Sequence, residues 1–437
     1  MDKTALTEIK RISKENHEPE WFTHRRIEAK GWADELPLPK MEHFSGTEIS
    51  FSSDKVPVLY KSDFSKLPLD TKTNLTQFGQ STVQIKLSQE MKEKGIILTD
   101  IFDALRRFPE LIQKYFMTQV LKGNENKLNA ANLAYLNSGV LLYLPKNTVL
   151  SDPVEIKLIQ DSTKKINWYS HLLIVAEQGS SVRFLQHLTT FGENSNVANM
   201  IVEIVAKQDS SVQFSSVEEL SSKTTFYFDR RSQIAKDAHV EWAIGLLNSA
   251  DTLGEIDSEL IGEGSFANSQ LVSVTEGKQQ SFINNRVTNY GPHSTGLINQ
   301  RGVLLDQSKL IFNGIGQIIH GAHGSKADQK NRVLMMSPDA RGDANPLLLI
   351  DENDVIAAHA ASVGPVDPVQ MNYLMSRGIP YQQAQRLVIR GFLGAVLDAI
   401  PDQAVRQEMI AILERKLING QRYTANWGRV SYFKEAS

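Results

Sequence analysis

Few side chains in this sequence are placed to do chemistry, and cysteine is not among them: the chain has none in 437 residues. That excludes disulfide scaffolds, thiolate nucleophiles, cysteine zinc sites and any iron–sulfur cluster held by the chain's own thiolates. His320-Gly-Ala-His323 has an H-x-x-H spacing that can bring two imidazoles to one metal ion on a helix, although glycine-flanked histidines in a β region also fit turns. Asp328, Asp339 and Asp343 fall near one another, either as carboxylates for glycoside chemistry or as a solvated loop. His359 stands between two alanine pairs, Ala357-Ala358 and Ala360-Ala361. So little bulk leaves room for another chain or an inorganic group; the alternative is a tightly packed strand with one satisfied histidine. Gly277-Lys278-Gln279 is not a P-loop and Gly314-Ile-Gly316 is not a dinucleotide fingerprint, so neither ATP hydrolysis nor a Rossmann cofactor has support.

The elements that must position these residues change character along the chain. Thr4 to Asn16 carries Leu6, Ile9 and Ile12 at helical steps, whereas His17 to Pro39 reads as coil punctuated by Pro19, Pro37 and Pro39. Apolar residues between Ile101 and Val120 keep helical spacing across Pro109, as two helices or one kinked one. From Gly139 to about Ile350 short Val, Ile, Leu and Phe-rich runs alternate with Gly, Asp, Ser and Asn, the pattern of a long all-β region. Ala176-Glu-Gln-Gly-Ser-Ser-Val182, Ala206-Lys-Gln-Asp-Ser-Ser-Val212 and Ala235-Lys-Asp-Ala-His-Val240 resemble one another, and Gly264-Ser-Phe-Ala267 more loosely. Val182, Val212, Val240 and Ala267 are spaced by 30, 28 and 27 residues, which favours a β-solenoid of roughly seven coils over a β-sandwich. At the carboxy-terminal end Ala384, Leu387, Val388, Phe392, Ala395, Val396 and Ala399 form one apolar helical face, Pro401 breaks it, and Val405, Met409, Leu413 and Leu417 form another.

Composition narrows the function. With Lys plus Arg 47 and Asp plus Glu 50, the formal charge of −3 gives no cationic surplus for nucleic acid or for an anionic membrane surface. No apolar run approaches the ~20 residues of a membrane span, and the charged amino terminus has no signal-peptide core, so the expected location is the cytoplasm.

Several segments resemble the SufB/SufD family, the paired scaffold subunits of the Suf iron–sulfur cluster assembly system. They are Arg332-Val-Leu-Met-Met-Ser337-Pro-Asp-Ala340, Pro346-Leu-Leu-Leu-Ile350, Asp354-Val-Ile-Ala-Ala-His359 and Tyr373-Leu-Met-Ser-Arg377-Gly378-Ile379. Weaker signs are Glu18-Pro-Glu-Trp21, Leu36-Pro-Leu-Pro39 and Lys127-Leu-Asn-Ala-Ala-Asn132. The resemblance implies a mainly β protein with a right-handed parallel β-helix core, here residues 137–365, flanked by helical domains at 1–136 and 366–437. It implies a non-catalytic scaffold working with SufB and the ATPase SufC, which docks on the carboxy-terminal helical region at about Ser376 to Ile418; a homodimer in isolation is a further arrangement.

Without thiolates the chain is more like the SufD side of the family. Family members commonly carry a cysteine two residues before the histidine, where this sequence has Ala357. His359 is then the candidate nitrogen ligand to a transient iron–sulfur cluster shared with SufB at their interface, with His320 and His323 as lesser metal candidates. None is expected to be held stably by this chain alone. The competing readings are a β-helix carbohydrate-active enzyme and a purely structural partner of SufB.

Overall fold

The computed structural model describes residues 3–51, 59–60, 62–65, 72–398 and 403–424. From Ser138–Leu144 onward, successive strands alternate between two parallel sheets, so that the chain winds into a β-solenoid of about eight turns with helices at both ends. One sheet ends in Arg341–Ile350 and the other in Val355–Pro365. The extra coil relative to the sequence expectation arises because the regular strands run on through Pro365.

The sequence repeat is the stacking repeat. Val182 pairs in register with Val212, Val212 with Val240, and Val240 with Ala267. The column continues through Gly296 and Ala327 to Ala357. The small or acidic turn residue of each repeat has its own reason: Gly179, Asp209, Asp237 and Gly264 all have positive φ, 53° to 68°, a conformation that glycine and aspartate tolerate best. Each donates its N–H to the next turn in the stack, Gly179 to Gln208 and Asp209 to Lys236.

Inward side chains fill the lumen. Phe184 stacks on Phe214 at 5.4 Å between ring centroids, and Phe214 meets Trp242 edge-on at 5.1 Å. Each such ring contributes on the order of 2–3 kcal/mol by leaving water. Both outer faces of the sheets are covered as well, as parallel sheets require. The amino-terminal helices bury Phe22, Ile101 and Phe116 against Leu173, Val175 and Ile201 of one sheet. Helices Tyr381–Leu397 and Gln403–Thr424 bury Leu393, Met409 and Leu413 against Leu185, Val217 and Val303 of the other.

Ile101 to Tyr115 takes the first of its two expected forms, two helices, Ile101–Arg107 and Pro109–Tyr115; three other features differ from the sequence expectation. Glu20–Glu35 is a helix rather than coil, because Pro19 sits at its N-cap in extended conformation, where a missing N–H costs nothing. Strands Leu75–Phe78, Ser81–Ile85 and Ile97–Asp100 lie within the expected helical domain yet extend the solenoid sheets at their first end, Leu75–Phe78 running parallel to Val154–Ser162. A third carboxy-terminal helix, Pro368–Ser376, precedes the two expected ones, with Asp367 accepting from the Val369 N–H. Ala399, Pro401 and the tail beyond residue 424 lie outside the described residues.

Candidate functional site

The two ends of the solenoid are unlike. The first is closed by the amino-terminal strands. At the last, Arg341–Ile350 and Val355–Pro365 are the outermost strands of their sheets, and among the described residues no strand pairs with their far edges. An unpaired edge presents a row of N–H and C=O groups ready to accept another chain. Val355–Pro365 carries no charged side chain to discourage such pairing and is exposed along almost its whole length, with Ile356 66% exposed. Leu347, Leu349 and Ile350 of the companion strand are also exposed. Pro346 is tolerated there because an edge strand can spare a donor.

His359 lies at the middle of this edge strand. Its register partner is Gln329, a buried residue whose side chain points into the lumen; Ala357 and Ala361 pair likewise with inward Ala327 and Asn331. Register partners in a parallel ladder share a face, so His359 belongs to the lumen side of the last coil and is exposed because no further coil among the described residues covers it. Its alanine neighbours keep the approach free. The structure thus makes the exposed, accommodating strand, rather than the tightly packed one, the setting of His359.

The other candidates separate. His320 is almost fully exposed and faces Glu352, Nδ1 to Oε2 3.8 Å. His323 meets His293 of the preceding turn edge-on, ring centroids 5.2 Å apart. Sequence inspection missed His293, whose positive φ of 55° places it at the turn position that Gly264 occupies one coil earlier. Among the described residues no three His, Asp or Glu side chains gather as a metal site would require. Asp328 points outward from one sheet and Asp343 from the other, with Asp339 in the turn between, so these carboxylates do not form a pair.

A different acidic group occupies the outer face of the sheet that ends in Arg341–Ile350: Asp229, in register with Glu255, together with Asp257 and Glu259. Burial, with repulsion from Asp229, pushes Glu255 up to about 8, and burial pushes Asp257 up to about 7. Arg231 binds Asp229 at 2.8 Å and Glu125 at 2.6 Å, joining this face to the amino-terminal region. Inside the lumen, Glu218 and Arg230 form a completely buried ion pair, with Arg230 also 4.4 Å from the Phe228 ring centroid.

The carboxy-terminal helices are fixed by charge as well as by apolar packing. His187 Nδ1 lies 3.0 Å from Glu408 of Gln403–Thr424, and its Nε2 lies 3.3 Å from Glu155. Burial opposes charge on His187, but the two carboxylates outweigh it and hold the imidazole up to about 9. Arg301 donates to the Phe392 carbonyl, and buried Lys416 lies 3.7 Å from Glu276.

A solenoid closed at one end and open at the other, with a lone histidine on its open coil, offers an edge on which a further chain could stack. Comparison with known proteins gives the family. Residues 158–392 match the model of the SufBD core domain of the SUF iron–sulfur cluster assembly system, and residues 56–156 match the SufBD amino-terminal region. The chain is 39% identical over 424 residues to the iron–sulfur cluster assembly protein SufD of Bacillus subtilis (strain 168), covering 94% of this chain and 97% of that one. It is 24% identical to an iron–sulfur cluster assembly SufBD family protein of Staphylococcus saprophyticus, covering 91% and 90%. The chain belongs to the SufB/SufD family, is SufD-like within it, and has a role in iron–sulfur cluster assembly. Among the described residues no helix is long and apolar enough to cross a membrane.

Proposed function

We propose that this chain is a non-catalytic scaffold subunit that docks by its open solenoid end on a SufB-like partner and by its carboxy-terminal helices on a SufC-type ATPase. The observation that carries the reading is the uncharged strand Val355–Pro365, whose outer edge has no partner strand among the described residues, with His359 exposed on its lumen side. Edge-to-edge pairing with a second solenoid would satisfy the free backbone groups and bury Ile356, Leu347 and Leu349. His359 would then face the partner's terminal coil, where it supplies a nitrogen ligand or carries a proton at a site whose thiolates come from the partner. Thiolates are the ligands a nascent cluster needs, and Ala357 leaves this chain unable to provide one. The cluster is cargo, made at the shared end and passed on in the cytoplasm.

The test is co-expression with SufB and SufC, comparing the native chain with His359→Ala. A complex of unchanged composition whose iron and sulfide content falls supports the role. Undiminished cluster content in an intact complex reduces His359 to packing. Purified alone, the chain is expected to be colourless after anaerobic reconstitution and gel filtration; two copies associating through the same edges would appear as a dimer by light scattering.

A further inference from the structure

On the outer face of the sheet that ends in Arg341–Ile350, three asparagines stand in one column, Asn284 in register with Asn313 and Asn313 with Asn345. Their amides bond along it. Asn313 Nδ2 donates to Asn284 Oδ1 at 2.8 Å, and Asn345 Nδ2 donates to Asn313 Oδ1 at 2.9 Å. The direction of such an amide ladder is set by a partner that can only accept. Here it is the main-chain carbonyl of Glu42, to which Asn313 Nδ2 also donates at 3.3 Å. Asn313 therefore turns its N–H2 toward the preceding coil and its oxygen toward the open end, and Asn345, bonded in the same sense, does likewise. Asn345 is the last rung, and its Oδ1 accepts from none of the described residues.

The backbone beside it is short of donors as well. Arg341 and Asp351 donate their N–H groups back into the solenoid, to the carbonyls of Ser308 and Ile318. Successive residues of a strand point to alternate sides, so the odd positions between them bond back and the even positions face the open edge. Position 346 is one of these, and it is proline, which turns a carbonyl outward with no N–H beside it. Between the outward N–H groups of Ala344 and Leu348 the edge presents only acceptors, among them the Pro346 carbonyl in the strand and Asn345 Oδ1 next to it.

We propose that the rung beyond Asn345 is supplied by the docked partner: its terminal strand carries a carboxamide side chain, asparagine or glutamine, whose N–H2 donates to Asn345 Oδ1 and continues the ladder across the junction. A carboxamide brings two N–H groups, the second for the neighbouring Pro346 carbonyl, and it enters the contact without a charge to desolvate, as a guanidinium or ammonium would not. A second copy of this chain offers acceptors at its own Asn345 and Pro346, which favours a different partner. The proposal rests on the reading that the open end is the partner interface, and it adds the chemistry by which that partner is recognised.

The experiment is an affinity titration of the full chain against purified SufB, with thermal unfolding of each variant alone as the control for folding. Asn345→Leu keeps the branching of the side chain but removes the acceptor, leaving the partner's N–H2 buried without a bond, so it should weaken binding about tenfold. Asn345→Asp keeps an oxygen toward the partner while losing the donation to Asn313, so it should bind more tightly than Asn345→Leu. A merely structural asparagine gives the reverse order, because aspartate sets a carboxylate against Asn313 Oδ1 and leucine does not. Native affinity in Asn345→Leu, or that reverse order, would overturn the proposal. Asn345→Asp binding more tightly than the native chain, with the gain lost in high salt, would put a cation in place of the carboxamide and overturn it too. So would a dimer of the native chain alone that Asn345→Leu dissociates. Native affinity in Asn345→Leu beside lost binding in Ala361→Arg, a cation placed on the last coil, defeats the ladder and leaves the open-end reading standing. Full binding by Ala361→Arg defeats both.

Discussion

His187, on a solenoid strand, lies 3.0 Å from Glu408, on the last helix, and this contact couples helix docking to pH. The folded state raises the histidine from 6.5 to about 9, so its contribution is complete below about 6.5 and is lost as pH rises through about 9. Lys416 acts in the opposite sense. Burial lowers it to about 8, and the penalty on its charged form is relieved as pH rises from about 8 toward 10.5. His187→Gln separates the two. Hydrogen exchange of Gln403–Thr424, corrected for intrinsic rates, should lose protection between pH 7 and 9 in the native chain more than in the variant. Equal losses would dissociate His187 from docking.

The Glu218–Arg230 pair sets a second expectation. Both side chains are fully buried, and Arg230 Nε and Nη1 have no hydrogen-bond partner among the described residues. Glu218→Ala would strand the guanidinium and should cost about 3–5 kcal/mol. Glu218→Leu combined with Arg230→Met, which removes both charges at similar volume, should recover most of that. Urea unfolding midpoints decide it, and a single variant costing under ~1 kcal/mol would show that the lumen supplies other partners.

Ala361 tests the open end without touching His359. It is exposed and in register with Asn331 on the lumen side. Ala361→Arg should leave thermal stability within about 0.5 kcal/mol of the native chain, since nothing packs over it. It should also abolish co-purification with SufB by placing a cation where the partner coil would sit. Full recovery of the complex would move the interface elsewhere.

Two leucines of Tyr381–Leu397 separate packing from docking. Leu393 is fully buried, and Leu393→Ala should cost about 2–5 kcal/mol. Leu387 is 49% exposed, so Leu387→Glu should change stability by no more than about 0.5 kcal/mol while weakening SufC binding at least tenfold in a titration. Unchanged affinity would exclude this face of the helix.

Much of the fold was legible in the sequence because a solenoid is built from near-neighbour repeats. Each coil stacks on the one about 30 residues before it, so equivalent positions need equivalent side chains. Val182, Val212, Val240 and Ala267 could therefore be aligned by eye and prove to be register partners. The turns were visible for a local reason, the left-handed backbone at Gly179, Asp209 and Asp237. The absence of cysteine, and with it of any thiolate ligand, was fixed by composition alone. What pairs at long range was not legible. The strand Leu75–Phe78 joins Val154–Ser162 across an intervening helical region, and Glu408 reaches His187 only after the last helix folds back. Asn313 and Asn284 could have been found by stepping back from Asn345 at nearly the same period, but that the Glu42 carbonyl orients their amides depends on a contact across 271 residues. The sequence placed His359 among small residues. Only the tertiary structure decided that its strand is the last one, because exposure belongs to whatever is or is not packed on a residue, and no local pattern encodes that.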